Sequence, residues 1–224
     1  MLAAQTAVAQ LRNDWNRRAG NTVDAIPREI WSSVLILLPL RDRVAVMRVS
    51  CSLHEIATSD HTLWSSGQIN NVAALQFIRK RSGLVPLELQ ILALGDSESL
   101  LREICSDAER FKSLRFTIVG RLMSLHRYSA SPQDGIEQFF QCRLPLLTEF
   151  CFYYSMGSND MVLPAIALPI DLAVLAPQLR TLTISVVVTI PENIQPLPQM
   201  SHFAVVLSAT DTRKQLFAML PNVQ

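Results

Sequence analysis

The stretch "IPREIWSSVLILLPLRDRVAVMRVSCSLHEIA", Ile26 to Ala57, decides how this chain is read. Pro27 suits the first turn of a helix, where its missing N–H costs nothing, and Glu29 complements the positive helix N-terminus. Ile30, Val34, Leu35, Leu37 and Leu38 continue at helical spacing until Pro39 ends the run. Asp42 stands near the start of a second helix, with Val44, Met47 and Val49 as its apolar positions. A third helix begins around Ser50 or Ser52, and "SLHE", Ser52 to Glu55, matches a capping box. Leu63 and Trp64 close the unit. Three short helices over roughly forty residues make a marginal core, so this unit must lean on the rest of the chain or on a partner.

Composition bounds what surrounds it. With 224 residues, 49% of them apolar and 17% charged, the chain can fill one sizeable domain, or a small one and a larger one. A net charge of +1 argues against a broad basic face for nucleic acid. The cysteines Cys51, Cys105, Cys142 and Cys151 form no C-x-x-C pair and have no His at ligand spacing, which reads as free thiols in a reducing cytosol or nucleus. The first basic residue is Arg12, and polar residues interrupt the opening apolar run, a poor match to a signal peptide. Met161 to Pro177 approaches the length of a membrane span but contains Asp171, Pro164 and Pro169, and reads as a buried connection. Residues 2–19 read as an amphipathic helix with Ala4, Val8, Leu11 and Trp15 on one face.

After Trp64 the pattern alternates. "NVAALQFIRKRSG" reads as a helix ending at Gly83, and "PLELQIL" as a strand with Leu87, Leu89 and Ile91 on one face. Helical segments "SESLLREICSDAER" and "PQDGIEQFFQC" alternate with strand-like "SLRFTIV" and "LLTEFCFYY". A short turn-rich "PIDLAVLAP" precedes strand-like "LRTLTISVVV", then "MSHFAVVLS" as a strand and "TRKQLFAML" as a helix. The strands share a motif of apolar, two others, apolar, one other, apolar. Its sets are Leu84/Leu87/Leu89, Phe111/Leu114/Phe116, Leu147/Phe150/Phe152, Leu179/Leu182/Ile184 and Met200/Phe203/Val205, at irregular intervals. Residues between the inward positions should form three columns on an open sheet face. These are Pro86, Ser113, Glu149, Thr181 and His202; Glu88, Arg115, Cys151, Thr183 and Ala204; and Gln90, Thr117, Tyr153, Ser185 and Val206.

Two resemblances follow. The first unit resembles an F-box, the helical module that binds the Skp-type adaptor of cullin-based ubiquitin ligases. It carries the family's apolar-Pro start (Ile26-Pro27), Glu29 and Ile30, the apolar pair Val34-Leu35, then Leu38-Pro39 with Asp42, and finally Val49 and Leu63-Trp64. It departs after Val49: the family usually has Cys, a basic residue, any residue and Trp, where this chain has Ser50, Cys51, Ser52 and Leu53. The strand-helix alternation resembles irregular leucine-rich repeats without their usual Asn, an ordinary α/β domain being the alternative. "LQFIRKRSGLVPLEL" looks like the junction of fungal proteins that combine the two.

Chemistry leaves little trace. The histidines are dispersed, "HEIAT" lacks the second His of a zinc-protease motif, and no phosphate loop or nucleophile elbow is present. No cofactor or metal site is expected. The expectation is therefore a mixed α/β chain. Residues 1–20 form a helix, 24–66 a three-helix F-box, and 70–224 a leucine-rich-repeat-like solenoid, shortened at its C-terminus. The resemblance implies a non-catalytic substrate receptor of an SCF-type ubiquitin ligase in the cytoplasm or nucleus. Its partners would be a Skp-type adaptor, a cullin through it, and a target protein, with no nucleic acid or membrane. Ile26, Pro27, Ile30, Leu35, Leu38, Val46, Val49 and Leu53 are the adaptor-facing or core candidates. Glu88, Gln90, Arg115, Thr117, Glu149, Tyr153, Thr183, Ser185 and His202 are the target-facing candidates. A partner of the adaptor outside any ligase, or a decayed relative that recruits no target, stands as the alternative.

Overall fold

A computed structural model describes residues 10–11, 14–15, 25–93, 97–120, 132–156, 165–207 and 220. Most of the segment read as an N-terminal helix, the segment "TRKQLFAML" read as a helix but for Leu220, and the C-terminus lie outside these. Of the N-terminal apolar face, Leu11 and Trp15 are described, helical and exposed. The chain divides into two compact units, Met1–Gly67 with Ile78–Val85, and Gln68–Phe77 with Pro86–Gln224.

The first unit is helical. Helices α1 (Arg28–Leu35), α2 (Leu40–Val46) and α3 (Cys51–Ser59) precede a 3-10 turn at His61–Trp64. Pro27 and Pro39 stand immediately before α1 and α2 with extended ψ of 144° and 150°, so each proline sets the direction from which its helix starts. Ser50, not Ser52, caps α3: its buried hydroxyl accepts from the Leu53 N–H at 3.1 Å. The capping box expected at Ser52 to Glu55 is thus replaced by a single serine cap, because Ser52 already lies inside the helix and Ser50 is the last residue with extended backbone. Leu35, Met47, Leu53, Ile56, Ala57, Leu63 and Trp64 form the apolar interior. The fully buried Trp64 donates its indole N–H to the Ala57 carbonyl at 2.5 Å.

The second unit is built on a seven-stranded sheet, whose first strand begins at Ser66 and Gly67 of the first unit: β1 (Ser66–Ile69), β2 (Leu87–Ala93), β3 (Phe111–Gly120), β4 (Glu149–Met156), β5 (Ala165–Ala167), β6 (Thr181–Thr189) and β7 (His202–Leu207). Helices α4 (Val72–Ser82), α5 (Ser97–Cys105), α6 (Pro132–Phe140) and the short α7 (Leu172–Leu175) fall between strands. The order is β1-β2-β3-β4-β6-β5, with β7 also on β6, and the pairings of β2 through β7 are parallel. β4 and β7 flank the first half of β6, and β5 takes the place of β4 beside its second half. Neither β1 nor β5 was expected: four and three residues are too few for a visible alternation.

Register makes the repeated motif physical. Leu114, Phe150, Leu182 and Phe203 are successive neighbours across the sheet, as are Phe116, Phe152, Ile184 and Val205. Phe111, Leu147, Leu179 and Met200 are buried at the strand entries. Phe139 and Phe140 of α6 pack against Phe150 at ring distances of 5.4 and 4.8 Å, and Phe116 stacks on Phe152 at 6.1 Å. The entries are tied by a second ladder: Lys112 O accepts from Thr148 N–H, Thr148 O from Arg180 and Thr181 N–H, and Arg180 O from Ser201 and His202 N–H, at 2.8–3.0 Å.

The first motif set needs correction. Leu84 is 94% exposed, in the turn after Gly83 (φ 56°) ends α4. Leu87, Leu89 and Ile91 face Phe111, Leu114 and Phe116 instead. Lys112 is an extra residue of β3 at a bulge between Leu87 and Glu88, so the two-residue spacer of the motif exists in β3 but not in β2.

α5 and α6 pack together through a glycine. A Cβ at Gly135 would stand 2.7 Å from Leu101 Cδ1 and 3.1 Å from Leu101 Cβ. Gly135→Val should destabilise the second unit by about 1–3 kcal/mol through overpacking, read as a lower urea midpoint. An unchanged midpoint would mean that Leu101 moves aside freely.

Candidate docking surfaces

In the helical unit one cation organises the interior. Arg43, 5% exposed, has α2 around it and four backbone carbonyls at its guanidinium. Its Nε donates to Leu38 O at 2.7 Å, its Nη2 to Ile36 O at 2.8 Å, and its Nη1 to Ser66 O at 2.7 Å and to Leu63 O. Burial lowers its pKa, and the carbonyls restore much of the lost solvation to the cation. One side chain thereby satisfies the carbonyls that follow α1, where the helix can no longer use them, and joins them to the 3-10 turn. No sequence reasoning singled out Arg43, because its flank, Arg41-Asp42-Arg43, looks like any solvated helix start.

Asp60 does similar work at the 3-10 turn. It accepts from the Thr62 N–H at 3.0 Å and the Thr62 hydroxyl at 2.5 Å. Burial alone would raise its pKa, but hydrogen bonds from the Thr62 and Ser32 hydroxyls and the Thr62 and Leu63 N–H groups outweigh it and hold it below the ordinary value. The carboxylate lines an open groove of about 440 Å³ with Arg28, Glu29, Ser32, Ile56 and Ser59.

With the interior closed from within, the remaining apolar residues are turned outward. Of the eight adaptor candidates, Leu35 and Leu53 are buried, and Leu38 and Val46 are half-buried. Ile26, Pro27, Ile30 and Val49 are exposed, Ile30 by 53% and Val49 by 56%. Three more residues belong with these and were missing from the candidates: Val34, Ile36 and Leu37, the last 81% exposed. Ile30, Val34 and Leu37 form one stripe at spacings of four and three, a signal present in the sequence but indistinguishable there from a core-facing stripe. Leu53 stands where the resembled family has Trp, and its burial makes that a core position rather than part of the exposed stripe.

The sheet unit offers a polar face. Glu88 and Gln90 are exposed, Glu149 and Thr183 half-buried. Glu149 accepts from the Ser113 hydroxyl at 3.0 Å and pairs with Arg115 at 3.2 Å; Cys151 donates to it at 3.5 Å. Burial pushes the Glu149 carboxyl up, but its bonds from Ser113, Cys151 and Arg115 pull it below its ordinary value. Burial and then Glu149 raise the Cys151 thiol, which therefore stays protonated. The observed columns are Glu88, Ser113, Glu149, Thr181 and His202, then Gln90, Arg115, Cys151, Thr183 and Ala204. β2 is thus offset by two residues from its expected place: Gln90 is opposite Arg115, and Leu92 is opposite Thr117. The third column holds for Thr117 and Tyr153 but does not continue. The Ile184/Val187 irregularity aligns Val206 with Val187 rather than Ser185, whose hydroxyl accepts from the Tyr154 N–H at 2.9 Å.

Among the described residues no three His, Cys, Asp or Glu side chains converge as a metal site, and no helix is long and apolar enough to cross a membrane.

Two substitutions test the helical interior. Arg43→Met should destabilise this unit by about 3 kcal/mol, since at least two carbonyls lose their donor at ~1–3 kcal/mol each; Arg43→Lys should recover little, because an ammonium cannot span the fork. Urea unfolding followed by circular dichroism reads both. Asp60→Ala should cost about 1 kcal/mol. As the folded Asp60 pKa is depressed, its contribution is complete above the unfolded value of about 3.9 and is lost as pH falls through the folded value. The wild-type advantage over Asp60→Ala should thus vanish as pH falls below the folded value, and an advantage that persists in acid would refute the carboxylate's role.

No curated protein and no solved structure shows significant similarity to the chain. Residues 23–67 do match the F-box-like family model, a domain type that implies binding to the Skp-type adaptor of SCF ubiquitin ligases. The Pro27 and Pro39 corners, the buried Trp64 and the outward Ile30, Val34 and Leu37 all lie inside that segment, so the chain carries an F-box-like domain there.

Proposed function

We propose that the chain is a non-catalytic substrate receptor of an SCF-type ubiquitin ligase, acting in the cytoplasm or nucleus. α1–α3 are the three-helix F-box, and the exposed stripe of Ile30, Val34 and Leu37 with Ile26, Pro27 and Val49 seats the Skp-type adaptor, through which a cullin is reached. The observation that carries this is the inversion of an ordinary helix. α1 keeps Leu35 inside and leaves its longer apolar stripe in water, an arrangement that burial against a partner stabilises by ~25 cal/mol per Å². Leu35 and Leu53 serve the interior that supports the stripe, and Leu38 and Val46 bridge the two.

The second unit is read as an irregular leucine-rich-repeat solenoid that holds the target. The parallel order, the repeated apolar columns and the ladder of strand-entry carbonyls support this reading. The target face comprises Glu88, Gln90, Arg115, Thr117, Glu149, Tyr153, Thr183, Ser185 and His202. Arg115, aligned by Glu149, and Tyr153 are side-chain types that anchor interfaces. On this reading the receptor accelerates modification by raising the local concentration of the target.

Co-expression with a Skp-type adaptor and size-exclusion chromatography test the first half. A stoichiometric complex is expected. Ile30→Glu with Leu37→Glu should weaken it at least about 100-fold, with unchanged circular dichroism, whereas Leu84→Glu, at a still more exposed leucine, should not. A folded chain that ignores the adaptor would overturn the reading.

A further inference from the structure

Two cysteines meet where α5 and α6 end. Cys105 is the last residue of α5, and Cys142 stands just past α6. Gly135 lets α5 and α6 approach closely against Leu101. The Cys142 sulfur is a close enough neighbour of Cys105 to act on its thiol directly. Cys142 Sγ also donates to the Gln138 carbonyl at 3.4 Å, which fixes it at the helix end. Both thiols are free and only part-buried. Neither of the other cysteines is placed this way: Cys151 is buried against Glu149, and Cys51 is exposed on α3.

We propose that Cys105 and Cys142 are a reversible redox site that closes to a disulfide at the expense of a small disulfide of the glutathione class. Cys142, as its thiolate after giving a proton to water, attacks one sulfur of glutathione disulfide. That S–S bond breaks, a Cys142–glutathione bond forms, and one glutathione leaves and takes up a proton. Cys105 then gives its proton to water, and its sulfur attacks Cys142 Sγ. The Cys105–Cys142 bond forms, and the second glutathione leaves and is protonated. Two protein thiols have lost two electrons, and one glutathione disulfide has become two glutathiones. Burial first, and then the Cys142 sulfur, push the Cys105 thiol up to about 12, which keeps Cys105 protonated and leaves the first attack to Cys142. The bond would staple the ends of two consecutive strand-connecting helices without disturbing the polar face of the sheet.

The test uses the full chain incubated with glutathione disulfide at mildly alkaline pH. Remaining thiols are alkylated, the chain is digested without reductant, and the peptides are weighed. A peptide pair linked through Cys105 and Cys142 should dominate, and Cys105→Ser should instead trap glutathione on Cys142. Exposed Cys51 is the internal control for reactivity. If Cys51 carries glutathione while Cys142 in the unsubstituted chain stays alkylated as a free thiol, or stops as a stable glutathione adduct, the proposal is wrong.

Discussion

Much of the helical unit hangs on the Arg43 guanidinium. A short helix ends with carbonyls that nothing inside the helix can satisfy. Here Ile36 and Leu38 carry two of them, and Leu63 and Ser66 add two from the far end of the unit. A planar fork with five donors can serve all four at once, which no neutral side chain can do. The arrangement removes the need for a large apolar core. That matters in a unit this small, where burying every apolar residue would leave none for a partner.

The consequence is a division of labour between neighbouring residues. Leu35 and Leu53 go inward, Leu38 and Val46 lie between, and Ile30, Val34 and Leu37 go outward. Prolines on both sides of α1 and a serine cap before α3 hold the corners, so the exposed stripe belongs to a backbone that is already fixed. Pre-organisation of this kind lowers the entropic cost of docking.

The sheet solves a different problem. Each strand carries an apolar face that the strand alone cannot cover, and the parallel neighbours and the helices supply the missing contacts. The phenylalanines of β3, β4 and α6 fill that interior, and the opposite face is left to polar pairs such as Arg115 with Glu149. Those pairs lie across strands, so the face exists only when the register is correct.

The sequence by itself determined the helical unit, the alternation of strands and helices, and the inward columns of β3, β4, β6 and β7. These rest on spacing, proline and capping chemistry, which are local. Tertiary structure alone decided four things. It turned Ile30, Val34 and Leu37 outward and Leu35 inward, because periodicity alone does not say which face is buried. It moved the β2 register by two residues, because the extra Lys112 of β3 is visible only against a partner strand. It buried Arg43, because its four acceptors are backbone atoms that carry no side-chain signature. It brought Cys105 to Cys142, because thiols far apart in the chain become neighbours only when the close contact at Gly135 sets two helices side by side.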